Sequence, residues 1–285
     1  MNYDFIGDIH GHREELELLF EKLGYEKRDG EWYPHANVTP VFLGDFIDRG
    51  PDSRGVVDIV RPMIESGRAL AVMGNHEYNA ICYWSRIPTH GYLRSHNPKN
   101  VKQHAAFLCQ YMEDTAAWAD VVDWFMTLPL FLELDEGPRV VHACWDQTMI
   151  TEVQQSGDVR MSPAFLLASA RKTSREHAVI EQLLKGPEEK VAPFVDEDGI
   201  PRTHARVKWW REYTAPRGVV FGHYWMEPDD EVNPGNRWIC VDLSVAKEGA
   251  LACYQWRNEE QADGFSRARV MTVPAVDKKG SKVPV

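Results

Sequence analysis

Three short apolar runs, residues 3–6, 41–43 and 70–73, each stop at a glycine followed at once by an oxygen-bearing side chain: Gly7-Asp8, Gly44-Asp45 and Gly74-Asn75. Runs so short and apolar suit strands buried on both faces, and glycine at the end lets another backbone approach closely. Helical periodicity fills the gaps between them. Residues 12–23 place Leu16, Leu19, Phe20 and Leu23 on one face with acidic residues opposite, and Gly24 stands where a helix would stop. Residues 53–65 place Val56, Val57, Val60 and Ile64 inward behind the start signals Pro51, Asp52 and Ser53. Residues 25–38 read as a hairpin around Arg28-Asp29-Gly30. This alternation implies right-handed crossovers and parallel strands. It restricts the chain to an α/β architecture, with Asp, Asn and His delivered just past strand ends, where ligands gather.

The remainder is less regular. Residues 77–127 read as mostly helical, with loops around 88–100. Two strands are expected around the Gly137-Pro138 turn, and helices near 163–172 and 176–185. Strand character returns at 218–221, 238–243 and 250–256, where short polar connections suggest antiparallel pairing. A second sheet built late in the chain and facing the first would complete a two-sheet α/β sandwich.

Composition narrows the context. A formal net charge of −11 opposes binding to long nucleic acids, while 32 Lys and Arg leave room for local basic pockets. Cys82, Cys109, Cys144, Cys240 and Cys253 form no Cys-x-x-Cys pair, which suggests free thiols in a reducing compartment. No apolar run approaches the ~20 residues of a membrane span. The first motif begins at Gly7, which leaves no room ahead of it for a signal peptide, so a cytoplasmic location is expected.

A lone Asp after a strand is usually a turn or cap residue, and a lone buried His is usually part of the core. The argument rests on the set. Asp8 and His10 stand two apart and would share a side of extended chain. Asp45 could bridge, because a carboxylate's two oxygens can be divided between ions. Asn75 offers a neutral oxygen, and His142 and His223 follow two later strands. One divalent cation would have Asp8, His10 and Asp45, the other Asp45, Asn75, His142 and His223, an arrangement suited to in-line displacement. His76, adjacent to Asn75, would face the opposite way and could protonate a leaving oxygen. Asp48 is placed to orient its ring, and Arg49 to fork onto phosphate oxygens. Glu77 and Glu14 read as surface or helix-start carboxylates.

At these residues the chain resembles the phosphoprotein-phosphatase branch, bacterial type, of the calcineurin-like metallophosphoesterases. Gly-Asp-x-His-Gly at residues 7–11, Gly-Asp-x-x-Asp-Arg-Gly at 44–50 and Gly-Asn-His-Glu at 74–77 all stand intact, and the match is tightest over residues 3–80. The resemblance implies an αββα sandwich with helical insertions and a dinuclear centre of manganese first, with iron or zinc as alternatives. It also implies attack by metal-bound hydroxide. The metallophosphoesterase domain would occupy residues 1–262, with a cap built from about 80–125 and 144–216, and residues 263–285 as a C-terminal tail. A second phosphate-binding arginine is usual in the branch. Arg217, ahead of the strand leading to His223, is the candidate, with Arg202 and Arg206 competing. Two departures stand out. Cys144 replaces a usual glycine, either tolerated as a small side chain or sensitive to oxidation. Tyr224-Trp225 follows Gly222-His223, placed to narrow or line the mouth.

Selectivity should reside in the cap, where Tyr83, Trp84, Tyr92, Trp209 and Trp210 could stack on a base or simply form core. The first expectation is a phosphomonoesterase acting on phosphoprotein or small phosphate esters. The alternative is a nucleotide hydrolase cleaving an anhydride such as a dinucleoside polyphosphate. A non-catalytic binding module with a relict site is opposed by the intact set. No membrane partner is expected.

Overall fold

The computed structural model describes residues 1–87, 91–157, 159–195, 201–226, 237–258 and 264–276. Two sheets face each other. The first runs in the order Asp242–Leu243, Ala250–Trp256, Asn2–Ile6, Val38–Phe42, Leu70–Ala71, with Val270–Pro274 also paired to Ala250–Trp256. Asn2–Ile6, Val38–Phe42 and Leu70–Ala71 are parallel, as the crossovers require, while Ala250–Trp256 runs antiparallel to Asn2–Ile6. The second sheet runs Trp238–Cys240, Val219–Phe221, Arg139–Val141, Phe131–Glu133.

Alternation along the strands assigns the layers. Tyr3, Phe5, Val41, Leu43, Tyr254 and Trp256 meet Val140, Val220 and Ile239 between the sheets. The opposite faces, represented by Ile6, Phe42, Val141 and Phe221, belong to the core shared with the helices. Arg13–Leu23 buries Leu16, Leu19, Phe20 and Leu23, and Gly24 ends it at φ 77° with its N–H turned back to the Phe20 and Glu21 carbonyls. Ser53–Glu65 starts where Asp52 accepts a hydrogen bond from the Gly55 N–H at 2.7 Å. The result is an αββα sandwich, as expected. None of the helices among the described residues is long and apolar enough to cross a membrane.

Several expectations are corrected. Val219–Phe221 and Trp238–Cys240 pair in parallel, and their separation in sequence leaves length enough for a crossover return. The third strand shrinks to Leu70–Ala71, and helix Asn75–Trp84 begins at once after Gly74. The irregular stretch after Cys144 contains a helix, Gln147–Gln155, and a hairpin, Glu188–Val195 with Pro201–Arg206. The segment expected as a tail carries strand Val270–Pro274, and residues 277–285, expected to fray, lie outside the described residues.

Candidate metal centre

The sheets bring their strand ends together, and Asp45 lies at the meeting point. Its Oδ2 is 3.6 Å from His10 Nε2, 3.5 Å from His142 Nε2 and 4.0 Å from His76 Nε2. Its Oδ1 accepts from the His76 backbone N–H at 2.9 Å. Asn75 Oδ1 is 3.2 Å from His142 Nε2. The Asp8 carboxylate holds the His223 N–H, with oxygens 3.2 and 3.3 Å away. Gly222 is needed for that approach: a Cβ there would lie 2.2 Å from Asp8 Oδ1. Asp45 is common to two trios of closely spaced buried donors, His10, Asp45 and His76 in one and Asp45, His142 and His223 in the other, while Asp8 stands outside both.

The donor chemistry fits metal ions. His10 Nδ1 donates to the Ile47 carbonyl at 3.0 Å, and His142 Nδ1 to the Leu43 carbonyl at 2.6 Å. Those carbonyls only accept, so each Nδ1 carries a proton, and in the neutral ring Nε2 presents a lone pair toward Asp45. Buried acceptors facing each other at that distance need a cation between them. One proton can serve one of them. His142 is pushed up to about 10, as the charges of Asp45 and Asp8 outweigh its burial. His10 is held down at about 3 by burial and then by His76, and His223 is lowered by burial and then by Arg206. Asp8 is raised by burial and the nearby Asp242, while the charges of His142 and His76 overcome burial and hold Asp45 well below the usual carboxylate range.

His76 and Asn75 do not sit in extended chain. Both lie in the first turn of helix Asn75–Trp84, and the helical turn separates their side chains. His76 Nδ1 meets Asp48 Oδ2 at 2.6 Å, and the carboxylates of Asp45 and Asp48 together outweigh burial and raise its pKa. Asp48 has a second partner that the sequence did not announce. His104, from helix Pro98–Tyr111, puts Nδ1 2.8 Å from Asp48 Oδ1, and its own Nε2 is buried without a hydrogen-bond partner. Nothing in the local pattern distinguishes His104 from a core histidine.

Glu77 stands in the first turn of helix Asn75–Trp84, the helix-start alternative, and is not a surface carboxylate. It is 0% exposed and accepts from the N–H groups of Asp45 at 2.8 Å, Phe46 at 2.9 Å and Gly74 at 3.0 Å. Burial, and then the charge of Asp45, push its pKa up to about 7. Glu14 sits exposed in the first turn of its helix, as expected.

The arginines separate. Arg49 is exposed at the mouth, 4.7 Å from the centre of the Trp225 ring. Arg206 donates to the His223 carbonyl at 2.9 Å and lies 5.2 Å from the same ring. Arg217 does not reach the site. It donates to the Gly137 carbonyl at 2.9 Å, ahead of strand Val219–Phe221 and a strand length from His223. Arg202 lies at the start of its hairpin strand, opposite Phe194.

Other expectations resolve around the site. The Cys144 thiol is buried beside Gln182 with its pKa raised by burial, an unreactive setting, so the side chain is tolerated. All five cysteines are free. Tyr224 packs into the core against Trp210, leaving Trp225 at the mouth. Trp210 is core, and Trp209 donates to the Ala143 carbonyl at 3.1 Å. Tyr83, Trp84 and Tyr92 line a cleft of about 810 Å³ together with His96 and Trp118.

The calcineurin-like phosphoesterase family profile matches residues 1–236, and the chain belongs to that family. It is 43% identical over 261 residues to the bis(5'-nucleosyl)-tetraphosphatase PrpE (asymmetrical) of Geobacillus sp., covering 90% of this chain and 91% of that one. Against the same-named protein of Oceanobacillus iheyensis it is 45% identical over 76 residues, so it spans 30% of that relative's length and 27% of its own. A solved protein serine/threonine phosphatase from Saccharomyces cerevisiae superposes with a TM-score of 0.54 at 16% identity, covering 100% of this chain and 81% of the other, a likeness of fold.

Proposed function

We propose that the chain hydrolyses phosphoanhydrides of the dinucleoside tetraphosphate type at a dinuclear metal centre. The observation that carries the chemistry is the inward-facing set of His10, Asp45 and His142, which is unbalanced without cations. The substrate class rests on the relative from Geobacillus sp. that aligns along most of both chains. Asp8, His10 and Asp45 would hold one ion, and Asp45, Asn75, His142 and His223 the other. An all-nitrogen-and-oxygen donor set suits manganese, iron or zinc, with manganese the first choice. Two such ions supply charge neutralisation for the phosphate and acidity to a water.

The protein's own groups do the rest. Arg49 and Arg206 present guanidinium forks to the phosphate oxygens. His76, held by Asp48 through Nδ1, keeps Nε2–H available for the leaving oxygen. That proton donor also favours a second reading, in which the enzyme cleaves phosphomonoesters of phosphoprotein or small molecules. An alkoxide needs protonation more than a departing nucleotide phosphate does.

The test compares diadenosine tetraphosphate with an aryl phosphate and an alkyl phosphate, before and after chelation. EDTA should abolish turnover and manganese restore it, with the tetraphosphate cleaved at the highest kcat/KM. Turnover by metal-free protein refutes the metal reading. Cleavage of the monoesters but not of the tetraphosphate leaves the second reading standing instead.

A further inference from the structure

Asp48 carries two imidazoles. His76 Nδ1 stands 2.6 Å from its Oδ2 and His104 Nδ1 2.8 Å from its Oδ1, and all three side chains are buried. An ionised carboxylate only accepts, so each Nδ1 donates. His104 makes no second hydrogen bond: its Nε2 is buried with no partner among the described residues. A phenylalanine or leucine would fill the same place without that penalty. A buried ring with one orphaned nitrogen therefore calls for an explanation in what its other nitrogen does.

The His104 ring is held from several sides. It stacks on Phe107 with centroids 4.6 Å apart and planes at 17°, and Tyr83 packs against it at 5.3 Å. Phe107 stacks in turn on Tyr111 at 4.5 Å, a row of three rings along helix Pro98–Tyr111 at the spacing of successive turns. The helix itself is tied to the loop that carries Asp48. Gln110 donates to the Pro51 carbonyl at 3.0 Å and accepts from the Arg54 N–H at 2.8 Å. Within that loop, Ser53 Oγ accepts from the Asp48 N–H at 3.1 Å. The donor and the carboxylate it meets are thus fixed to one frame.

We propose that His104 is a positioning residue, which acts through Asp48 to hold His76 Nε2–H toward the leaving oxygen. With one imidazole alone, the Asp48 carboxylate could turn about its Cβ–Cγ bond and carry His76 with it. With a fixed donor on each oxygen, its plane is set. The line from Oδ2 to His76 Nδ1 then sets the imidazole and the direction of its Nε2–H. When the bond from phosphorus to the leaving oxygen breaks, the electron pair stays with that oxygen, which takes the proton from His76 Nε2. His104, behind Asp48, transfers no proton. It governs how often Nε2–H is aligned as the bond breaks, so its effect falls on kcat and grows with the leaving group's need for a proton. The inference deepens the proposed function and rests on its assignment of His76 as the proton donor.

The test compares phenyl phosphate with nitrophenyl phosphate, using the full-length enzyme in excess metal ion. His104→Phe keeps a ring against Phe107 and removes the donor. It should lower kcat on phenyl phosphate about tenfold, the order of one hydrogen bond to a charged group, and on nitrophenyl phosphate by less than about threefold. KM and metal content should not change. His104→Asn, whose amide can donate from near Nδ1, should restore most of the phenyl phosphate rate. In a His76→Asn background, His104→Phe should cause no further loss, because the group it aligns is gone. Should His104→Phe fail to fold, His104→Leu gives the same comparison with a smaller side chain. Two results overturn the inference: a loss equal on the two esters when His76→Asn distinguishes them, or the same loss in both backgrounds. If His76→Asn itself loses equally on both esters, the proton-donor reading has failed and the paired backgrounds alone decide. Coupling then keeps His104 as the residue that positions His76, and additivity removes it.

Discussion

Removing the Glu77 carboxylate tests how the metal centre is held. In Glu77→Ala, the N–H groups of Asp45, Phe46 and Gly74 lose their common acceptor in a fully buried place. Each orphaned donor costs about 1–3 kcal/mol, so three cost about 3–9 kcal/mol. A water entering the vacated volume would recover part of this, which favours the lower end. At about 2–4 °C per kcal/mol for a chain of this size class, the melting temperature should fall by about 6–12 °C. Glu77→Gln keeps one oxygen and turns an NH₂ toward the remaining donors, so it should fall between wild type and Glu77→Ala. A second effect follows from position. Two of the three donors flank the Asp45 peptide, whose φ is 50°, and releasing them frees Asp45 to relax. Both metal ions should then bind more weakly. The assay is a melting curve with metal analysis on each variant, before and after dialysis against a weak chelator. A melting temperature within about 2 °C of wild type in Glu77→Ala would refute the reasoning. So would normal retention of both ions.

Asp45→Asn removes the charge common to both groups, so metal analysis should show both ions lost together, whereas Asp8→Asn, at a ligand proposed for one ion alone, should lose mainly one. His76→Asn should keep its metals and lower turnover of an alkyl phosphate by roughly 10²–10⁴, with a smaller loss on nitrophenyl phosphate. A loss independent of leaving-group pKa would show that His76 is not the proton donor. His104→Leu leaves Asp48 Oδ1 without its donor, about 1.5–3 kcal/mol for a bond to a charged group, and His104→Asn, whose amide can stand near Nδ1, should recover much of that in a melting curve. Equal melting temperatures for the two variants would contradict this.

The parts of the fold legible in the sequence are those with local punctuation. Gly24 and Asp52 mark helix ends by chemistry that needs no distant partner. The glycines at 7, 44 and 74 announce the strand ends around which Asp8, Asp45 and Asn75 are set. What depended on the third dimension was not legible. Glu77 read as a surface or helix-start carboxylate; it does open helix Asn75–Trp84, but a lone carboxylate gives no sign of the three backbone donors folded around it. Arg217 stood nearest in sequence to His223, yet a strand separates them, and it is Arg206, from the hairpin strand Pro201–Arg206, that donates to the His223 carbonyl. His104 reaches Asp48 only through the docking of a whole helix. Parallel pairing at Val219–Phe221 was misread because connection length was judged without knowing where the chain would return.

The backbone at the site explains why its side chains can converge. His10, Asp45, Asp48, Arg49, His223 and Trp225 all have positive φ, between 47° and 70°. Left-handed backbone at a non-glycine residue costs about 1–2 kcal/mol, so the set is a substantial burden on a fold whose whole margin is of order 5–15 kcal/mol. Such conformations persist only where the surroundings over-determine them. Five of the six have an identifiable restraint: the Ile47 carbonyl on the His10 imidazole, Glu77 on the Asp45 peptide, Ser53 Oγ on the Asp48 N–H, Asp8 on the His223 N–H and Asp242 on the Trp225 N–H. Extended backbone would send neighbouring side chains to opposite faces of the strand. The left-handed turns instead let adjacent residues such as Asp48 and Arg49 address different groups from one loop, Asp48 the two imidazoles and Arg49 the indole. Replacing these residues with glycine would relieve strain and remove the functional group together. The strain is therefore retained at the site, and the buried carboxylates that hold it in place are the positions where stability and chemistry should be lost together.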